Sequence, residues 1–516
     1  MPGKDIDLEF KNTVTKHKKP RILICTPEIT ELPEGMGNAA NLIAAKGGGL
    51  GDISASLVKY FSDADKYDIH VVIPKYDSCI KHLADITNRQ IDRLTLVLRG
   101  KGIHLVNDSA FAHLHNPYED NKVHSRVRRA LAFQRYIVND LIDWIQPDVI
   151  HCNDWMTALI PSAARAKGVK TLFTLHNFFT ELQTPKQIEL SGLKPYDFGE
   201  YLYFEKFPEN LRNRWEENFD SNHVDFTASA IFACDHFNTV SPTFLEELVA
   251  GKFSSLVPDS IFRTIRDKYS QGTATGIINA PNMHINPRLM SHIVNYSRSN
   301  VIKGKAVNKE NFQRKMGLPI EPDTPLFFWP NRLFFQKAPD LLLDNIAYFF
   351  SRYNIQIAIV ANGDAELEHQ AIKLSGKYQQ FAYKPFDESL SSLGKAAADF
   401  ILMPSRYEPC GLPQMEAPKF GTLPVVHATG GLADTIRQLD VSQNTGNGFL
   451  FKLNDKIGLE YGIVEALKFY QLPLADRESQ IQRIMTESER DFNLEATAIS
   501  YMEIYDRLIE QTRVAK

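Results

Sequence analysis

From Pro20 onward, short apolar runs alternate with stretches whose apolar residues recur every three or four positions, the grammar of strands joined by amphipathic helices. Arg21-Ile-Leu-Ile-Cys-Thr26 and Ile69-His-Val-Val-Ile-Pro74 read as buried strands, and Asp148-Val-Ile-His151, Thr171-Leu-Phe-Thr-Leu175 and Phe237-Asn-Thr-Val240 keep the rhythm. Together they predict one doubly wound parallel sheet for the first half of the chain. After a polar stretch near 297–305 a second set begins, with Leu326-Phe-Phe-Trp329, the run at 355–360, Phe400-Ile-Leu-Met403 and Leu423-Pro-Val-Val-His427. Two such sheets in succession put the carboxyl ends of their strands, where ligands bind in this kind of fold, on either side of an interdomain cleft. The stretch 492–509 reads as one amphipathic helix with Tyr501, Ile504, Tyr505 and Leu508 on a shared face, suited to packing back on the first domain. Residues 180–225 form a polar insert interrupted by Pro and Asn, read as a flap.

Composition adds limits. A chain of 516 residues is too long for one ordinary domain and long enough for two. Its 43% hydrophobic and 23% charged residues are those of a globular protein, which removes disorder and coiled coil from consideration. A net charge of −4 gives no electrostatic reason to expect nucleic acid or an anionic membrane as partner. The five cysteines are scattered without paired spacing, so neither a disulfide framework nor a zinc site is indicated, and a reducing compartment fits. With no signal-like leader and no segment approaching about 20 uninterrupted apolar residues, a cytoplasmic location is expected.

Three segments carry candidate chemistry. Lys46-Gly-Gly-Gly-Leu-Gly-Asp52 is a glycine turn before a helical stretch, where backbone amides can approach oxyanions and Lys46 adds a mobile charge; a purely structural turn explains it equally well. Pro404-Ser-Arg-Tyr-Glu-Pro-Cys-Gly-Leu-Pro-Gln-Met-Glu416 follows a strand directly. It sets Glu408 on the turn at the strand's carboxyl end, sends the chain from Gly411 into a helix start that favours a diphosphate, and brings Glu416 eight residues later within reach of a ribose. A plain fold has little use for that spacing. Asn331-Arg-Leu-Phe-Phe-Gln-Lys337 holds two cations five residues apart beyond another strand. Alone they read as surface charges; beside a leaving diphosphate they would stabilise its developing charge. His151 reads equally as a hydrogen-bonded core residue or a site residue, and His176 leans toward the site. Cys410 lacks a His or Asp neighbour in sequence and is treated as a backbone contributor, not a nucleophile.

These segments, taken with His151-Cys-Asn-Asp-Trp155, His176-Asn177, Thr239-Val-Ser-Pro242, Gly276-Ile-Ile-Asn279 and Thr429-Gly-Gly-Leu-Ala-Asp-Thr435, resemble the bacterial glycogen synthase and plant starch synthase family from Arg21 to about Leu508. The resemblance implies two Rossmann-like domains in the GT-B arrangement: 1–290 on the acceptor side with the glycine loop, 291–490 on the donor side, and 491–516 as a helix returning to the first domain. It implies retaining transfer of glucose from ADP-glucose or UDP-glucose to the non-reducing end of an α-1,4-glucan, without cofactor or metal. Lys46, Gly48 and Gly49 then resemble the donor loop, and Arg332 with Lys337 the pair on the donor phosphates. Glu408 would contact the glucose ring with the amides of Cys410, Gly411 and Leu412, and Glu416 would sit toward the nucleoside. His176 and Asn279 resemble donor-glucose contacts, and Asp154 resembles a polar residue of the acceptor side. Retention would follow from same-face attack, with the departing phosphate oxygen taking the acceptor proton. The alternatives are a related retaining glycosyltransferase with another acceptor, or a glucan-binding protein without turnover, the latter disfavoured because every diagnostic charge is present.

The chain departs from the family pattern in places. Pro413 removes one N–H at the helix start, Ala280-Pro-Asn282 replaces the usual Gly-Ile-Asp, the tryptophan commonly found just beyond is missing, and Ala228-Ser-Ala230 stands where Lys-Gly-Gly is frequent. Asn331 occupies a common glycine position, and an insertion at 31–45 precedes the glycine loop. These changes bear on donor nucleotide and acceptor more than on reaction type.

Overall fold

The computed structural model describes residues 19–33, 36, 43–45, 48–79, 88–111, 114–115, 122–207, 215–282 and 285–515. In chain order the strands are β1 (Arg21–Cys25), β2 (Asp68–Pro74), β3 (Ile103–Val106), β4 (Val149–Asn153), β5 (Lys170–Leu175), β6 (Leu182–Gln183), β7 (Val224–Asp225), β8 (His236–Thr239), β9 (Ala274–Gly276), β10 (Leu326–Trp329), β11 (Gln356–Val360), β12 (Phe381–Lys384), β13 (Phe400–Met403), β14 (Leu423–His427) and β15 (Phe449–Phe451). Two parallel sheets result: seven strands in the order β3-β2-β1-β4-β5-β8-β9, and six in the order β12-β11-β10-β13-β14-β15.

The near-continuous apolar runs follow from burial on both faces. Successive side chains of a strand point to opposite sides. Phe327 and Trp329 accordingly join one core cluster with Ile357, Ile359, Phe400 and Leu402, while Leu326 and Phe328 join another with Ala358, Val360, Ile401 and Met403. Helices cover both faces, the doubly wound α/β architecture the pattern predicts.

Strand order reverses between β1 and β4 in the first sheet and between β10 and β13 in the second. At such switch points the loops leaving neighbouring strands diverge, and a crevice opens at their carboxyl ends. The chain following β1 leads to the glycine turn, β4 ends beside Asp154, β10 leads to Arg332 and Lys337, and β13 leads to Glu408. The candidate residues therefore occupy both crevices.

The last helix, Leu494–Ala515, returns to the first sheet as expected, starting two residues later than the sequence pattern suggests. Tyr501, Ile504, Tyr505 and Leu508 lie in the first domain's core. Asn238 donates to the Tyr501 hydroxyl at 3.0 Å, and Lys66 and Tyr67 bond Asp506. The insert at 180–225 differs from the flap expected. Its described residues contain the two-stranded β6–β7 ladder, and Phe198, Leu202 and Phe204 are buried in the first domain's core, so that part is built into the domain. Polar residues between the buried aromatics had masked this packing.

Candidate active site

The first domain's half begins where β1 ends. Thr26 Oγ1 donates to the Glu28 carbonyl at 2.9 Å, turning the chain so that Glu28 is fully buried beneath the glycine turn. Glu28 Oε2 accepts the Gly48 N–H at 2.5 Å, and a side chain at Gly51 would place its Cβ 3.4 Å from the same oxygen. The helix Gly49–Asp63 starts there. Lys46 lies outside the described residues.

Asp154, just beyond β4, has φ +63° and ψ 175°, a region almost reserved for glycine, so its backbone stores strain. Burial raises its carboxyl pKa to about 7, an effect that nearby Glu28 reinforces and that the N–H groups of Trp155, Asn177 and His176 oppose. Its Oδ1 is buried without a hydrogen-bond partner. His176 Nε2 lies 3.1 Å from Asn153 Oδ1, and burial lowers the imidazole pKa to about 4, so the ring is neutral near pH 7. His151 resolves as a core residue: its ring is held between the Tyr505 hydroxyl at 2.7 Å and Thr174 Oγ1 at 2.8 Å, and burial takes its pKa down to about 3.

The second domain's half is built on the loops after β10 and β13. Lys337 ends a single 3-10 turn, Phe335–Lys337, and its Nζ donates to Glu408 Oε2 at 2.5 Å. Ser405 Oγ donates to the same oxygen at 3.0 Å, and Glu408 is only 3% exposed. Charged groups at this depth persist when paired and hydrogen-bonded, as this carboxylate is. Gly411 sits at φ +75°, where a Cβ would come 2.4 Å from Gln414 Oε1. Gln414 Nε2 in turn donates to the Cys410 and Gly411 carbonyls at 2.9 Å each, fixing the turn. The Cys410 thiol lies within reach of the Asn279 N–H, and burial pushes its pKa up to about 12, which removes it as a nucleophile at neutral pH. Arg332 is exposed just beyond β10.

One expectation needs amending. The helix foreseen after Gly411 is a single α-turn, Pro413–Glu416, running into a 3-10 stretch, Ala417–Phe420, because Pro418 cannot donate to the ladder. Glu416 is buried and its Oε2 accepts from Lys395, a partner without a sequence signal.

The halves meet. A Cβ on Gly49 would lie 3.1 Å from Leu412 Cδ1, and the Phe178 and Tyr407 rings are 4.7 Å apart, centroid to centroid. A circuit of neighbours therefore runs from Leu412 to Gly49 and Gly48, to Glu28, to Asp154 and His176, to Phe178 and Tyr407, and back through Glu408 to Lys337. Asp154 Oδ1, Asn279 Oδ1, Asn331 Nδ2 and Gln414 Oε1, all in these segments, are buried without partners. Unpaired buried polar atoms cost free energy, and these four lie on segments that carry the candidate site residues. Glu28 was absent from the sequence-derived set, although a carboxylate three residues past the first strand, at a switch point, was the available signal. Among the described residues no group of three or more His, Cys, Asp or Glu lies close enough to hold a metal ion, and no helix is long and apolar enough to cross a membrane.

Residues 21–261 match the family model of the starch synthase catalytic domain, and residues 310–481 that of glycosyl transferases group 1. Glycogen synthase from Thermosipho melanesiensis is 31% identical over 487 residues, spanning 90% of this chain and 97% of that protein. Glycogen synthase from Thermotoga maritima is 30% identical over 492 residues, spanning 90% and 96%. The catalytic domain of starch synthase IV from Arabidopsis thaliana, solved with ADP and acarbose, shares the fold with a TM-score of 0.73 at 23% identity, over 95% of this chain and 99% of that one.

Proposed function

The chain belongs to the family of glycogen and starch synthases, glucosyltransferases of GT-B architecture, and from that premise we propose that it moves glucose from ADP-glucose or UDP-glucose to the non-reducing end of an α-1,4-glucan with retention at the anomeric carbon. The observation that supports the proposal is the Lys337–Glu408 pair, its carboxylate buried, at the β10/β13 switch point, on a loop whose Leu412 meets Gly49 of the other domain's glycine turn.

In this reading the first domain, 1–290, presents acceptor and glycine turn, the second, 291–490, holds the donor, and 491–516 ties the chain back. The donor sugar lies on the Glu408–Leu412 turn, with Glu408 and the amides of Cys410 and Gly411 on its hydroxyls and neutral His176 and Asn279 alongside. Lys337 and Arg332 face the diphosphate. As the bond from the anomeric carbon to the phosphate oxygen breaks, negative charge grows on the phosphate and positive charge on the sugar ring. Fixed cations on one side and the Glu408 carboxylate on the other stabilise both without reorganising. The acceptor hydroxyl attacks on the face the phosphate leaves, forms the new glycosidic bond, and passes its proton to the departing phosphate oxygen. Asp154, with its carboxyl poised near neutrality, lies on the acceptor side and orients that hydroxyl. Glu416, held by Lys395, sits toward the nucleoside. Five buried, unpaired cysteines suit a cytoplasmic enzyme.

The test is an initial-rate comparison of ADP-glucose and UDP-glucose with a maltooligosaccharide acceptor, with the new linkage assigned by NMR. Chain extension by α-linked glucose from at least one donor is expected. No transfer from either donor, or a β-linked product, would overturn the proposal.

A further inference from the structure

Two family segments, Thr239-Val-Ser-Pro242 and Thr429-Gly-Gly-Leu-Ala-Asp-Thr435, carry no part of the chemistry above, and they lie nearly two hundred positions apart in different domains. The structure sets them face to face. The first leads into the helix Pro242–Val249, the second contains the helix Gly430–Thr435, and these two helices pack together.

Each side sends one carboxylate to the other. Asp434, of the second domain, accepts from Ser241 Oγ at 2.5 Å, from the Thr243 N–H at 3.1 Å and from Thr243 Oγ1 at 2.5 Å. Glu247, of the first domain, accepts from Thr429 Oγ1 at 3.0 Å with both oxygens, and from the Gly430 N–H at 3.0 Å. Lys252 pairs with Glu247 from its own domain. Five donors on two carboxylates thus join the domains in a reciprocal exchange, and hydrogen bonds to carboxylates are the strong kind.

The same segment touches the donor turn. The Gly431 N–H donates to the Glu408 carbonyl at 2.9 Å, and a Cβ on Gly430 or Gly431 would come 2.0 Å from the Glu408 carbonyl oxygen or 2.1 Å from that of Cys410. Phe244 lies on the other side of Gly430, 3.5 Å from the position its Cβ would take. Only glycines let the backbone lie this close. Whatever fixes residues 429–431 fixes the Glu408–Gly411 turn.

We propose that Asp434 and Glu247 form an interdomain clasp whose closure seats the Glu408–Gly411 turn against the first domain, which makes both carboxylates positioning residues for transfer. The proposal rests on the reading of that turn as the donor-sugar site. It is not a further substrate contact: neither carboxylate needs to touch donor or acceptor.

The experiment compares full-length Asp434→Asn, Glu247→Gln, the double variant, Thr243→Val and Thr243→Ser. It measures kcat/KM for the donor, the radius of gyration by small-angle X-ray scattering, and thermal melting. Each carboxamide variant is expected to lose about tenfold in kcat/KM, about 1.4 kcal/mol, and the double variant about a hundredfold. The radius of gyration should rise in the same order as the domains part, while melting shifts little. Thr243→Ser should retain wild-type kcat/KM where Thr243→Val loses it. Wild-type kcat/KM in both carboxamide variants overturns the clasp, as does reduced kcat/KM with unchanged scattering or in proportion to lost thermal stability. A wild-type protein inactive with both donors defeats the functional reading instead, and the scattering comparison still decides the clasp.

Discussion

Asp154→Asn isolates the energetic signature of the site. Burial lifts the Asp154 pKa from the ordinary 3.8 to about 7, a change of roughly three units, or about 4 kcal/mol at 1.4 kcal/mol per unit. In the unfolded chain the carboxyl releases its proton near pH 4, and in the folded protein only near pH 7, so the folded state binds more protons between these values. Stability is therefore undiminished below about pH 4, falls as pH rises from 4 through 7, and levels off above 7 once the buried carboxylate is fully charged. The asparagine variant carries no such penalty. Its amide oxygen can still accept from Trp155, Asn177 and His176, and asparagine tolerates positive φ better than most residues. Thermal melts of wild type and variant run in parallel from pH 4 to pH 8 should coincide at the acid end, diverge progressively between pH 4 and pH 7 and keep a constant gap above it, with the variant the more stable. Turnover of the variant should fall at least tenfold at pH 7. A constant offset across the range, or a variant less stable at pH 8, refutes the claim that a buried charge is maintained here at the expense of stability; unchanged turnover refutes the claim that it serves the reaction.

Glu408→Ala, Arg332→Ala and Lys337→Ala are each expected to lower kcat by about a hundredfold or more, the usual cost of removing one preorganised transition-state contact, and wild-type rates in all three would defeat the site. Because Lys337 and Glu408 share a hydrogen bond, the Lys337→Met/Glu408→Gln double variant should be little worse than its poorer single parent, and multiplicative losses in a double-mutant cycle would show that they act separately. Gly411→Ala forces an L side chain into φ +75° against Gln414, and should lower both kcat and thermal stability, with a cost of about 1–3 kcal/mol; an unperturbed melt would contradict the strain. Activity should survive EDTA if, as proposed, Arg332 and Lys337 supply the positive charge to the leaving diphosphate, and loss restored by Mg²⁺ would contradict that role.

How much of the molecule was legible depended on whether the information was local. Strands such as Arg21–Cys25 and Leu326–Trp329 announce themselves because burial on both faces leaves no polar position inside them. Weak strands did not: Ala274–Gly276 is half-buried and carries little apolar signal. The segment around Glu408 was readable because its carboxylate, glycine and proline all act within one turn. The partner of Glu416 was not, for Lys395 lies on a helix whose placement only the assembled sheet decides. His151 gave an ambiguous signal since its ring is satisfied by Tyr505, 354 positions away. Nor could spacing reveal that Asp154 takes a glycine-like conformation.

The division between local and assembled information coincides with the division of the site. Each half, glycine turn with Glu28 and Asp154 on one sheet, Lys337 with Glu408 on the other, is written in short segments at a switch point. Neither half closes a circuit around a ligand alone. Cross-domain contacts do that, among them Gly49 against Leu412, Phe178 against Tyr407, and the exchange of Asp434 and Glu247 between helices. A group-transfer enzyme gains from such an arrangement because the activated sugar meets its full set of charges only when the domains are together and water is excluded. In the proposed reaction, that exclusion favours attack by a glucan hydroxyl over attack by bulk water. The residues that join the halves, chemically silent in the sequence, therefore govern whether the readable ones can act.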